Sequence, residues 1–251
     1  MGAEIAAATV LGALIGSFLN VVIHRLPLGE SLVTPGSHCP ACDAPVRSFD
    51  NVPVLSWVVL RGRCRSCGAP ISVRYPAVEL VTAASFAAVV AVRGFDDGLW
   101  LELPFVACLI ALAGIDLDHK LLPNKIVYPM AAYGLVVSLI VATDDFPEHL
   151  IAGVGAFAFL LVAVFAYPSG MGMGDVKLAG AMGLYLGVSV VPALLAAFFT
   201  GTVFGLAVIA REGAQARKKA VPFGVFLAIG GLVGVLAGPE LIDVYESNFL
   251  H

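Results

Sequence analysis

Residues Gly170 to Ala210 read GMGMGDVKLAGAMGLYLGVSVVPALLAAFFTGTVFGLAVIA. From Leu178 onward, thirty-three consecutive residues carry no charge. That is too many for one bilayer crossing of about 20 residues and enough for two short ones. A break is expected near Gly187 and Pro192. At the mouth of the run, three alternating glycines, Gly170, Gly172 and Gly174, lead into Asp175. An acid at a membrane boundary is costly and usually has a task. The glycines lack a Cβ, so the backbone there can turn sharply and a second segment or a substrate can come close to the carboxylate. The same carboxylate can also cap the helix that follows, and the two roles are compatible.

The rest of the chain has the same character. Of 251 residues, 59% are hydrophobic and 13% charged, and mean hydropathy is +0.95; soluble domains carry about 25% charged residues. The expected fold is therefore an all-α polytopic membrane protein. A net charge of -4 provides no basic field, which argues against a nucleic-acid partner. The first twenty residues include Glu4 and no Lys or Arg, so they lack the basic region of a cleavable signal peptide and read as a permanent first span. Gly12, Gly16 and Ser17 suit close helix packing there, and Asn20 a hydrogen bond to a neighbouring helix.

Further spans are expected at about 76–92, 99–115, 126–142, 149–167 and 222–238, which with the broken run make eight crossings. The domain division that follows is a first helix at 1–23, a loop domain at 24–75, a seven-helix membrane domain at 76–238 and a tail at 239–251.

Charge placement orients these spans. If the loop domain is cytosolic, alternation puts thirteen of the fourteen Lys and Arg residues on its side, and only Arg93 falls outside. The opposite loops and the tail hold Asp96, Asp97, Asp144, Asp145, Glu148, Glu240, Asp243 and Glu246. The positive-inside rule then places the loop domain in the cytosol and both termini outside.

Within that loop stand Cys39-Pro40-Ala41-Cys42 and Cys64-Arg65-Ser66-Cys67, two C-x2-C pairs twenty-one residues apart. Four thiolates so spaced can converge on one tetrahedral Zn2+, and a reducing compartment favours metal over disulfides. Four filled positions leave no open coordination site, so the metal would be structural. A module of about fifty residues needs such a staple. The apolar stretch Val52 to Leu60 is too short to span and is expected to pack on the membrane face or on the zinc module. Cys108, alone in an apolar segment, reads as a small buried hydrophobe.

A second acid lies at the inner end of the third span, in Gly114-Ile115-Asp116-Leu117-Asp118-His119-Lys120-Leu121-Leu122-Pro123-Asn124. Asp116 follows an unbroken apolar run and should lie at the depth assigned to Asp175. Two neighbouring carboxyl groups do not both ionise easily; one can deprotonate water while the other protonates a scissile carbonyl. Asp118 is two positions on, where a helix faces elsewhere. Asp118 and His119 read as wet boundary residues.

Together these segments resemble the type IV prepilin peptidases, membrane aspartic proteases of the glycine-x-glycine-aspartate kind. The matching stretches are Gly16 to Pro27, the two cysteine pairs, Arg74-Tyr75-Pro76-Ala77-Val78-Glu79-Leu80, Ile115 to Asn124, Gly170 to Lys177 and Pro222-Phe223-Gly224. They follow the family's order over nearly the whole chain. The resemblance implies that Asp116 and Asp175 are the catalytic pair and that Cys39, Cys42, Cys64 and Cys67 form the cytosolic metal-binding module. It further implies a plasma-membrane enzyme that removes a short basic leader from pilin-like precursors and then methylates the new N-terminus from S-adenosylmethionine. Some members have Asp where this chain has Asn124. The cysteine loop marks the bifunctional form; members without it are peptidases only. Glu79, an acid just inside the second span, is expected either to contact substrate or methyl donor or to pair with an arginine.

Two alternatives frame these expectations: a proton-coupled transporter, and a non-catalytic membrane scaffold with a zinc module, which would explain the cysteines but leave the glycine-flanked Asp175 idle. A proton-coupled transporter would also carry membrane carboxylates, though near midplane and in matched repeats, which the sequence lacks. No glycine-rich strand-turn-helix fingerprint marks a site for S-adenosylmethionine.

Overall fold

A computed structural model describes residues 1–166, 171–213 and 221–249. Gly170 of the glycine motif and the basic residues Arg217, Lys218 and Lys219 lie outside the described residues. Helices dominate: α1 (Gly2–Arg25), α2 (Leu55–Val59), α3 (Arg74–Arg93), α4 (Leu99–His119), α5 (Asn124–Val141), α6 (Phe146–Ala166), α7 (Met173–Leu186), α8 (Val190–Glu212) and α9 (Phe223–Phe249). Among the described residues the only β-type pairings are two isolated bridges, His38 with Pro45 and Arg63 with Pro70. Among the described residues seven segments are long and apolar enough to cross a membrane, one of them the forty-residue stretch Met173–Glu212. The protein is an integral membrane protein.

That forty-residue stretch breaks where the sequence suggested. α7 ends at Leu186, Gly187 takes φ +53, a 3-10 turn covers Gly187–Ser189, and α8 restarts at Val190. Pro192 falls in the first turn of α8, where a missing N–H breaks no helical hydrogen bond. Side chains from the start of α6 satisfy the broken ends. Glu148 accepts the Val188 N–H at 2.7 Å, and His149 Nδ1 lies 3.0 Å from the Leu184 carbonyl oxygen. α7 is only fourteen residues long, about 21 Å, short of the ~30 Å hydrocarbon core. Against the eight expected crossings, the described residues contain seven segments long enough to span, because α7 is too short to cross alone and counts with α8 as one.

The chain forms two compact units, Met1–Phe95 and Asp96–His251. The expected boundary at 75/76 falls inside the first unit, because α3 packs along α1. A Cβ on Gly12 would lie 2.8 Å from Ala83 Cα, and one on Gly16 2.7 Å from Glu79 Cα, so the two backbones touch. Asn20, one helical turn further, donates to the Tyr75 carbonyl at 3.1 Å. The small-residue stripe foreseen on the first helix is thus the seam against α3.

In the second unit α6 and α7 make a similar seam. A Cβ on Gly183 would lie 2.5 Å from the backbone of Ala152 and Gly153. Backbone cannot yield as a side chain can, so Gly183→Ala should destabilise the protein by about 1–3 kcal/mol through overpacking. Thermal or denaturant unfolding in detergent reads that cost; no loss of stability would mean the two helices are not this close.

The last helix departs from expectation. It runs through Phe249, with Pro239 inside it, and does not stop at 238. Proline removes one hydrogen bond without stopping a helix whose other turns hold, so most of the expected tail, 239–249, is helical.

Candidate active site and cysteine centre

The second unit contains both acids. At the end of α4, Ile115 and Asp116 are buried whereas Leu117, Asp118 and His119 are exposed, so Asp116 is the last buried position before the helix ends. Lys120 then closes the helix at φ +52, its N–H bonded to the Asp116 carbonyl. The Asp116 side chain is 5% exposed, and the backbone N–H groups of Gly224 and Val225, in the first turn of α9, are directed at it. Such a helix start favours negative charge. One carboxyl oxygen, Oδ2, is buried and has no hydrogen-bond partner among the described residues.

Asp175 is the third residue of α7 and is 9% exposed. Its Oδ2 accepts the Gly172 N–H at 2.9 Å, so the carboxylate reaches back to the helix start as an acid at this position does in a capping box. Although 59 positions separate them, Asp116 is close enough for its charge to act on Asp175. Two carboxyl groups so placed can hold one proton between them, which equips one as base and the other as acid.

Leu122 is the apolar spacer of this region. A Cβ on Gly174 would lie 3.0 Å from Leu122 Cβ. One on Gly224 would lie 2.8 Å from both Leu122 Cδ2 and Asp116 Oδ2. Gly224 is thus what lets the Asp116 carboxyl approach the start of α9. Lys177 donates to Asn124 Oδ1 at 3.1 Å and stands 5.1 Å above the Tyr128 ring, which ties α7 to the first turns of α5. Sequence reasoning noted Pro222-Phe223-Gly224 but gave Gly224 no role. A proline two residues before a glycine at a helix start was the available signal, without an indication of what approaches it.

The first unit contains Glu79 and the cysteines. Glu79 is buried, and its Oε2 accepts the Val54 N–H at 2.7 Å.

The two cysteine segments repeat one structure 25 residues apart. In each, the first cysteine N–H bonds to the carbonyl of an alanine five residues on, Cys39 to Ala44 at 2.9 Å and Cys64 to Ala69 at 2.8 Å. In each, the residue after the second cysteine takes a left-handed conformation, Asp43 at φ +55 and Gly68 at φ +74, and returns its N–H to the first cysteine's carbonyl. The four Sγ atoms lie within 4.8 Å of one another, with Cys39 and Cys67 3.8 Å apart. Sulfurs at the corners of a tetrahedron around Zn2+ would be ~3.8 Å apart for Zn–S bonds of about 2.3 Å. The four cysteines can therefore bind a metal ion. Backbone N–H groups of Cys67 and Ser66 draw the Cys64 thiol down to about 6, whereas Cys42, despite the Ala44 N–H, is pushed up to about 12 by hydrogen bonds with the other thiols, so within the cluster Cys64 is the thiol that most favours the thiolate.

Comparison with known proteins identifies the family. Residues 10–93 match the bacterial peptidase A24 N-terminal domain and residues 103–206 the type IV leader peptidase family, one on each side of the boundary between the units. A prepilin leader peptidase/N-methyltransferase of Aeromonas hydrophila is 36% identical over 94% of this chain and 92% of its own. Those of Pseudomonas putida (37%, 96% and 92%) and Burkholderia pseudomallei strain 1026b (34%, 94% and 86%) are similarly related. No solved structure matches the chain. With helices that cross the membrane, a buried pair of acids and similarity running almost from end to end, the chain belongs to the type IV leader peptidase family of membrane enzymes.

Proposed function

We propose that this protein cleaves the basic leader from prepilin and pilin-like precursors at the cytosolic face of the plasma membrane, using Asp116 and Asp175, and then methylates the new N-terminus from S-adenosylmethionine. The observation that carries the proposal is the pair of buried carboxyl groups from segments far apart in the chain, brought to one place by Leu122, on which Gly174, next to Asp175, and Gly224, against the Asp116 carboxyl, both close. In the cleavage step one carboxylate takes a proton from water, and the oxygen attacks the scissile carbonyl carbon. The other carboxyl protonates the carbonyl oxygen. The tetrahedral intermediate then collapses with cleavage of the C–N bond, and the departing amine takes up a proton. The helix start of α9 supports Asp116 as the proton acceptor.

The distribution of Lys and Arg supports a cytosolic position for both the cysteine loop and the acids. A precursor with a basic leader and an apolar helix would then straddle the boundary where Asp116 and Asp175 lie. The relatives' names support methyl transfer. Incubating the purified protein with a precursor, with and without S-adenosylmethionine, tests both steps. Cleavage in either case and a methylated product only with the donor is the expected result. Cleavage without methylation would leave a peptidase alone, and no cleavage would overturn the proposal.

The cysteine centre is proposed to hold one structural Zn2+. Its four ligands would complete the coordination shell and hold the two repeats together. Cys64→Ser should lower bound zinc from about one ion per chain to nearly none and expose residues 26–73 to protease. Metal analysis and limited proteolysis measure both; a fully loaded, resistant variant would contradict the assignment.

A further inference from the structure

The loop between α1 and α3 carries an apolar surface that nothing in its own unit covers. Leu55, Val58 and Val59 on α2 are 65%, 59% and 73% exposed, and Phe49 and Val52 are exposed beside them. The opposite side of α2 is held inward, with the Trp57 indole N–H donating to the Ile71 carbonyl at 3.1 Å and the ring packed on Gly62. The outward side is therefore fixed rather than an accident of a loose loop. A notch of about 170 Å³ opens on it, lined by Phe49, Val52, Leu55, Val59 and Arg65 among others.

Two observations say what covers this surface. Glu79 is the sixth residue of α3 and accepts the N–H of Val54, the residue immediately before α2. The side chain of a helical residue leans toward the helix start. Val54 is thus tied at the depth of the first two turns of a membrane-spanning helix, about 8 Å in from its end. Val54 itself takes φ +61, rare for a β-branched residue. The buried carboxylate holds the chain in that turn, from which α2 begins. Charge is the second observation. Arg65 lines the notch beside the apolar side chains, and Arg61 and Arg63 follow α2 directly in the chain. Asp50 engages Arg65 through both carboxylate oxygens at 2.6–3.1 Å, and Arg65 holds its carboxyl below the usual range. Arg47 and Arg65 both lie against the Phe49 ring. Arg61 and Arg63 are exposed and make no ion pair among the described residues. Apolar side chains at interfacial depth, with arginines beside them and following them in the chain, have the chemistry of a segment that lies in the headgroup and upper acyl region of an anionic leaflet.

We propose that residues 49–60 form an interfacial wedge, in which Leu55, Val58 and Val59 enter the bilayer and Arg61 and Arg63 bind the phosphates of anionic phospholipids. The wedge would anchor the metal-binding module against the membrane on which its substrates lie.

The test places p-benzoylphenylalanine at Val59 in the full-length protein, reconstituted in vesicles of equal parts phosphatidylglycerol and phosphatidylcholine. The same residue at Val162, exposed on α6, serves as the lipid-facing control. After irradiation, intact mass reports the adduct. A phospholipid adduct at Val59 comparable to that at Val162 is expected. In Arg61→Gln/Arg63→Gln protein the preference for phosphatidylglycerol at Val59 should fall at least roughly fivefold, with the Val162 adduct unchanged. Metal content of each variant reports whether the module is intact. A lipid adduct at Val162 but none at Val59, or a crosslink from Val59 to a second copy or to precursor, would overturn the proposal.

Discussion

Asp175→Asn should yield a folded, membrane-inserted protein whose leader cleavage is slower by roughly 10³-fold or more, because a positioned acid or base contributes about 10²–10⁴-fold and the pair acts as one unit. The amide keeps an oxygen to accept the Gly172 N–H that the carboxylate accepts at 2.9 Å, so the start of α7 has no reason to unravel. Asp116→Asn should behave alike, since an amide oxygen still faces the N–H groups of Gly224 and Val225. The double variant should be little slower than either single one. Asp118→Asn, on the exposed side of α4, should retain activity within a few-fold. Rates on a purified precursor, with unfolding curves as the control, decide the matter. Activity within tenfold of the parent in either Asp116→Asn or Asp175→Asn would remove that residue from the chemistry.

Gly224→Ala should separate geometry from fold. Its new Cβ would stand 2.8 Å from Asp116 Oδ2 and from Leu122 Cδ2, both ends of flexible side chains. They can move aside, so the helices stay packed and the cost falls on the site. Displacing the carboxyl by about 1 Å is expected to reduce cleavage roughly 10²-fold, with little change in the unfolding midpoint. Gly183→Ala should show the opposite pattern, because there the obstacle is the backbone of α6. If Gly224→Ala were as active as the parent, Asp116 would not need its present place beside α9. If it unfolded like Gly183→Ala, the start of α9 would be a packing seam first.

Several features were legible in the sequence because they are local in the chain. Hydropathy marked the spans, since every apolar run long enough to cross must be buried in lipid or protein. The break at Gly187 followed from run length and one residue type. The cysteine spacing implied convergence, and the structure adds that the two segments are copies of one fold. Placing Asp116 ahead of Asp118 needed only the helical repeat and the nearer apolar run, and Asp116 is the buried one. Asn20 reaches the neighbouring helix as its polarity in an apolar segment suggested.

What tertiary structure alone decided is which distant pieces meet. Small residues on α1 announced a close neighbour but not that it is α3, which draws 76–93 into the first unit. The last span was placed at 222–238 by hydropathy, which says nothing of how far its helix continues, and the helix runs through Pro239 to Phe249. Glu79 has no chemical label that says it will hold the N–H of Val54, and Gly224 none that says a carboxyl will press against it. Hydropathy, capping and spacing act over a few residues, whereas these contacts join positions 25 to more than 100 apart in the chain. Glycine lets the helices pack backbone to backbone at α1 with α3 and lets the Asp116 carboxyl close on α9, and the Glu79 carboxylate ties the loop to α3.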